Sequence, residues 1–285
     1  RKLCWRQKML SCENRSARTV NLLKTMCFDK PEWTPATVSI MPATWMKYRE
    51  DLEDLVLKHP RVFGKYEKGS RDFDKIDDPL YNVGRVVDTW GCTWENVEKG
   101  LSSYVVTHPL EDWAALDAYV PPDPEKDAYI GPWDWEREKR NLEAGKHRGG
   151  LAEAGPLPHG FMYMRLFYLR GFENFMMDMA AGDPRLEKLI GMVRDYNADV
   201  VKKFLDMGAE YLHFGDDLGL QKSLPVSPEM WRRYIKPGYE AITGQCRDRD
   251  VPVYLHTDGH ILEIIGDLVD VGVDLPIGGV GVAPL

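Results

Sequence analysis

The chain has 285 residues, of which 44% are apolar and 11% aromatic, enough to bury the core of one large domain. A formal net charge of −8 argues against nucleic acid as a partner, and no apolar run approaches the ~20 residues that a membrane span requires. The five cysteines (Cys4, Cys12, Cys27, Cys92 and Cys246) are scattered and form no CxxC pair, so neither a zinc ribbon nor a disulfide framework is indicated, and a reducing, cytoplasmic setting fits best.

Residues 1–19 carry basic groups but lack the apolar stretch of a secretory signal. They read as a non-native-looking or disordered lead-in to a single domain over 20–285. Ala36–Met41 is expected to be a first strand, followed by a helical stretch from Met46 to Lys58, and Val83–Trp90 to hold a second strand. Asp117–Gly150 is rich in proline, glycine and charge and reads as a long excursion. Phe161–Leu166 is expected to be a third strand.

From Asp183 onward the pattern is regular. Asp183-Pro184 opens a helix, because Asp caps and Pro is tolerated in the first turn. Its apolar face runs from Leu186 through Leu189, Val193 and Val200 to Leu205, ending near Gly208. Tyr211–Phe214 reads as a short buried strand. Ser227-Pro228-Glu229 opens the next helix, which Pro237 breaks or kinks. A strand over Val251–His256, a helix from Ile261 to Gly272 and a strand starting at Val273 complete the order. Strands alternating with helices of this length imply a parallel α/β sheet. The count is about six strands, and the pattern dissolves after Asp274, so the domain reads as C-terminally incomplete.

In a parallel α/β protein, reactive side chains collect at the C-terminal ends of strands. Two such ends are polar here: His213-Phe214-Gly215-Asp216-Asp217 and His256-Thr257-Asp258-Gly259-His260. Period-two geometry puts His256 and Asp258 on one side and sends Asp216 and Asp217 apart. Imidazole with carboxylate suits a divalent metal or proton transfer. These residues also have structural readings. Asp258 stands where it could cap the helix near Ile261, and Asp216-Asp217 could bond loop amides. His213 reads as a core histidine with a polar partner. Arg165 and Arg170 could hold a substrate carboxylate or phosphate, or form ordinary salt bridges. The tryptophan pairs Trp90/Trp94 and Trp133/Trp135 suit either a flat ligand or packing. There is no Walker pattern, and no GxGxxG follows a strand.

The motif order resembles the uroporphyrinogen decarboxylase superfamily, and in particular its methyltransferase-like branch, over roughly residues 20 to 275. The resemblance rests on Asn21-Leu22-Leu23-Lys24, Phe28–Pro35, Asp88-Thr89-Trp90-Gly91-Cys92-Thr93-Trp94, His108-Pro109-Leu110 and Pro121–Pro124. It continues through Arg170–Phe175, Gly215–Gly219, Ser227–Trp231 and His256-Thr257-Asp258-Gly259. It implies a (β/α)8 TIM barrel, truncated here after about six strands. The two chemistries it implies are corrinoid-linked methyl transfer with zinc held by a His-x-Cys pair and a later Cys, and cofactor-free decarboxylation of uroporphyrinogen.

The sequence departs from both. Met41–Met46 replaces the arginine-rich stretch that a porphyrinogen's carboxylates need. Asp258 stands where the cysteine belongs, and the later cysteine would lie beyond Leu285. The reading is therefore methyl transfer, with a corrinoid carried by a partner protein and zinc or a harder metal at His256 and Asp258. In that reading Asp216, Asp217 and His256 are catalytic, and Asp88, Trp90, Arg165 and Arg170 bind a small-molecule substrate. Uroporphyrinogen decarboxylation and a non-catalytic, tetrapyrrole- or partner-binding barrel are the alternatives.

Overall fold

The computed structural model describes residues 15–36 and 38–279. Helices α1 (Ala17–Met26), α2 (Pro42–Lys58) and α3 (Pro60–Phe63) come first. The antiparallel meander β1 (Gly84–Val87), β2 (Thr93–Asn96) and β3 (Tyr104–Thr107) follows. Helix α4 (Trp135–His147) then leads to β4 (Glu153–Ala154) and to helices α5 (Tyr163–Arg170), α6 (Phe172–Ala181) and α7 (Arg185–Asp206). The remaining elements are β5 (Tyr211–Gly215), α8 (Pro228–Tyr234), α9 (Lys236–Asp248), β6 (Val253–Asp258), α10 (Ile265–Val271) and β7 (Leu275–Gly279).

The strands β4-β5-β6-β7 lie side by side in chain order, all parallel. This is the α/β architecture that the alternating pattern predicts. Among the described residues the four strands form an open wall, with no closed barrel. The two faces of that wall differ sharply. Leu212, Phe214, Val253 and Leu255 are buried on one face, in the same core as Tyr239 and Ile242 of α9 and Val193 and Val200 of α7. Each such side chain contributes about 1.5–3 kcal/mol on burial, so this face holds the sheet to its helices. The alternate residues face the other way. There α1 lays Leu23 and Met26 against Tyr211 and Leu151, with Tyr254 alongside, and so covers the N-terminal end of the open face. Further along, His213, His256 and Asp258 remain accessible.

The local signals mostly hold where a helix ends on a capping residue. Ser16 accepts the Thr19 amide ahead of α1, and Ser227 accepts that of Met230 in α8. The Asp183 carboxylate accepts the Arg185 amide at the start of α7. The break expected at Pro237 is found: α8 ends at Tyr234 and α9 starts afresh at Lys236, with Pro237 in its first turn, where a missing N–H costs nothing.

Several expectations are corrected. Ala36 and Val38–Met41 form no strand; Thr37 lies outside the described residues. Val38 is exposed there, and among the described residues no strand pairs with this segment to give the ladder that a β-conformation needs. The Val83–Trp90 strand exists as β1, but pairs antiparallel with β2 and lies outside the parallel sheet. Phe161–Leu166 is not a strand: Phe161 and Met162 lead into α5. An apolar run buried on all sides fits either period, and here the deciding contact is remote. The Asp216 carboxylate, from the end of β5, accepts the Tyr163 and Met164 amides at 2.7 and 3.0 Å and so caps the helix. The Asp117–Gly150 excursion contains α4, capped by Asp134. Of the lead-in, residues 1–14 lie outside the described residues, while Ser16 and Thr19 both engage the start of α1.

Candidate functional site

The open face carries its polar groups at the C-terminal ends of β5 and β6. Gly215 sits opposite His256 in the register, so Asp217, just past β5, and Asp258, the last residue of β6, follow as neighbours. The Asp258 amide donates to Asp217 Oδ1 at 3.1 Å. A third contributor arrives from the loop before α5. The Gly160 amide donates to the Gly215 carbonyl at 2.7 Å, which lays His159 over the end of β5. Only a glycine at 215 leaves room: a Cβ there would lie 2.4 Å from His159 Cδ2.

His159 Nε2 stands 3.2 Å from Asp217 Oδ1. The His159 and His256 rings are 5.6 Å apart at their centroids. One ligand atom from each of His159, Asp217 and His256 falls within 4.8 Å of the others. Asp258 lies outside this group, with Oδ1 3.6 Å from His256 Nε2. The Asp217 hydrogen bond raises the His159 pKa, against the opposing effect of burial. Burial opposes charge on Asp217, but the His159 hydrogen bond and charge, with the Asp258 amide and His256, hold its pKa below the usual carboxylate value.

The sequence-predicted residues divide into three sets. Asp217 and His256 are at the site, with Asp258 beside them. Asp216 points to the opposite face, as the period-two argument requires, and is wholly buried. Burial pushes its pKa up to about 6, against the Tyr163 and Met164 amides and the Tyr239 hydroxyl, which donates at 2.8 Å. The native state therefore binds its proton more tightly than the unfolded chain, and this group's stabilising contribution falls as pH rises from about 4 to about 6. Asp216→Asn is expected to remove that component, so urea midpoints of variant and wild type should converge or diverge with pH across this window. A constant difference would contradict the assignment.

Asp88, Trp90, Arg165 and Arg170 are not brought to the open face. Arg165 Nη1 pairs with Asp88 Oδ2 at 2.7 Å, both side chains being at most 1% exposed. Asp88 also accepts the Cys92 amide at 2.8 Å and the Trp94 indole at 2.9 Å. The rings of Tyr129, Tyr168 and Trp90 surround the guanidinium at 4.8–5.7 Å. Burial pushes the neighbouring Cys92 thiol up to about 12, which makes it a packing residue instead of a thiolate. Arg170 pairs with Asp178 at 2.7 Å and lies over Trp113. Trp133 and Trp135 stack on each other and edge against Phe204.

Two readings of the strand ends change. His213 is not a core histidine: its side chain is 47% exposed on the open face, 3.3 Å from Glu153. Asp258 does not cap the following helix, whose first turn has no side-chain cap. His159 was missed by the sequence reading, since it lies ahead of a segment taken for a strand. The signal that could have found it is Pro158-His159-Gly160, a loop-type triplet that leaves a histidine at a strand-to-helix turn.

No helix of the chain is long and apolar enough to cross a membrane among the described residues, and no curated protein matches the chain. A solved methyltransferase from Methanosarcina mazei superposes with a TM-score of 0.53 at 15% identity, over 91% of this chain and 75% of that one, a likeness of fold. Residues 163–278 match the family model for uroporphyrinogen decarboxylase (URO-D). That stretch, less than half of the chain, runs from the first residue of α5 through β5, Asp217, β6 and His256.

Proposed function

We propose that the chain is a URO-D-type methyltransferase, its parallel sheet forming part of a (β/α)8 barrel wall within one domain over 20–285. It acts in the cytoplasm on a small-molecule substrate, with a corrinoid carried by a partner protein. The observation that carries this reading is the convergence of His159, Asp217 and His256 at the C-terminal edge of the sheet. Two imidazoles and one carboxylate make a donor set for zinc or a harder divalent ion. All three side chains are partly exposed, which leaves room for a ligand from solvent. A metal there would supply Lewis acidity.

The chain's own groups have separable tasks. Asp217 is held ionised and ready to ligate. His159 must shed its proton to do so, so metal affinity is expected to fall as pH drops through the imidazole range. Asp258 remains beside the group, its carboxylate 3.6 Å from His256 Nε2. Asp216 supports the site from behind by fixing the start of α5. Decarboxylation of uroporphyrinogen draws less support, because Arg165 and Arg170 are buried on Asp88 and Asp178 and do not face a polycarboxylate.

The test is metal content of the purified full chain after incubation with Zn(II), beside His256→Ala. Near-stoichiometric metal that disappears in the variant is the expected result, and methyl exchange with a free corrinoid should track it. A wild type that retains no metal would remove the Lewis acid and move a decarboxylase assay to the front.

A further inference from the structure

The loop after β5 is tied to the end of β6 at successive residues. Asp217 Oδ1 accepts the Asp258 amide at 3.1 Å, the Leu218 amide donates to Thr257 Oγ1 at 2.9 Å, and the Gly219 amide donates to the Asp258 carbonyl at 3.1 Å. The His260 amide then donates to the Leu220 carbonyl at 2.7 Å. Between these ties the loops meet backbone to backbone. A Cβ on Gly219 would lie 2.5 Å from the His260 nitrogen, and one on Gly259 would lie 2.3 Å from the Gly219 carbonyl carbon. No slack remains for one loop to slide past the other.

Thr257 is the side chain in this clamp that does not belong to the open face. It sits between His256 and Asp258 in sequence and points the opposite way, wholly buried. Leu218 is buried too, at 1% exposure, so its amide has no access to water in place of the hydroxyl. The Thr257 hydroxyl can therefore be removed without touching any of the three converging side chains.

We propose that Thr257 is a positioning residue for the His159–Asp217–His256 group: by receiving the Leu218 amide it fixes the loop that carries Asp217 relative to His256. This inference rests on the metal reading given above. The hydroxyl acts before any metal arrives, and it acts through Asp217.

The experiment compares Thr257→Val, which keeps the shape and loses the acceptor, with Thr257→Ser, which keeps the acceptor. Co(II) is titrated into the full chain and followed by its visible absorption. The valine variant is expected to bind about 10–100-fold more weakly with an altered spectrum, and the serine variant to stay within about 3-fold of wild type. Unchanged Co(II) affinity and spectrum in the valine variant would overturn the proposal, even if its melting temperature falls, since a merely structural role predicts that pattern. Thr257→Ala serves the same comparison if valine prevents folding. Hydrogen exchange of the Leu218 and Asp258 amides in metal-free protein is the second arm, expected to quicken in valine and not in serine. If wild type binds no Co(II), the functional reading falls while the exchange arm still decides the clamp: unchanged exchange in valine sinks it.

Discussion

Arg165→Ala is expected to lower stability by about 3–5 kcal/mol, because it strands a buried carboxylate. Asp88 would keep the Cys92 amide and the Trp94 indole but lose the only cation within its reach among the described contacts. The cavity left between Trp90, Tyr129 and Tyr168 adds to the loss. Removing both charges in Asp88→Asn with Arg165→Met should recover much of the deficit, since a buried ion pair replaced as a unit is often nearly neutral. Urea unfolding of the single and double variants measures both effects. A single variant within about 1 kcal/mol of wild type would show that water reaches Asp88 and that the pair is not the anchor described.

His159→Ala is expected to weaken metal binding by more than about 100-fold, beyond the 10–100-fold typical of an outer-shell change. Methyl transfer should fall with it. Stability should change little, because the ring is half exposed and its contact with Asp217 is a partly solvated one. A Zn(II) or Co(II) competition titration, run beside thermal melts, separates these outcomes. Affinity equal to wild type would take His159 out of the group and return attention to the His256–Asp258 pair.

The legible parts of this molecule are those decided by local chemistry. The helix over α7, the strands β5 and β6 and the opposed directions of Asp216 and Asp217 all follow from period and capping, and each is found in the structure. What escaped was decided by contacts remote in sequence. Tyr163–Leu166 became helical because Asp216 caps α5 from 53 residues away, as measured to Tyr163. Arg165 looks in the sequence like a substrate anchor, and only the fold reveals Asp88 pressed against it. The metal pairing shows the same division. His256 and Asp217 were visible from their places at strand ends, whereas His159 meets them only because Gly215 makes room for a loop to cross.

The Asp88–Arg165 pair also bears on how this fold can be divided. The stretch that matches the URO-D model begins at residue 163, which makes residues 163–278 look like a portable module. Cutting there would sever a charge from its counter-charge 77 positions upstream and leave His159 behind as well. The border of recognisable similarity is thus not a border of autonomy. The meander works as a keystone for the part that is recognised, so swapping or shuffling that part into another scaffold has to carry Asp88 and its turn along.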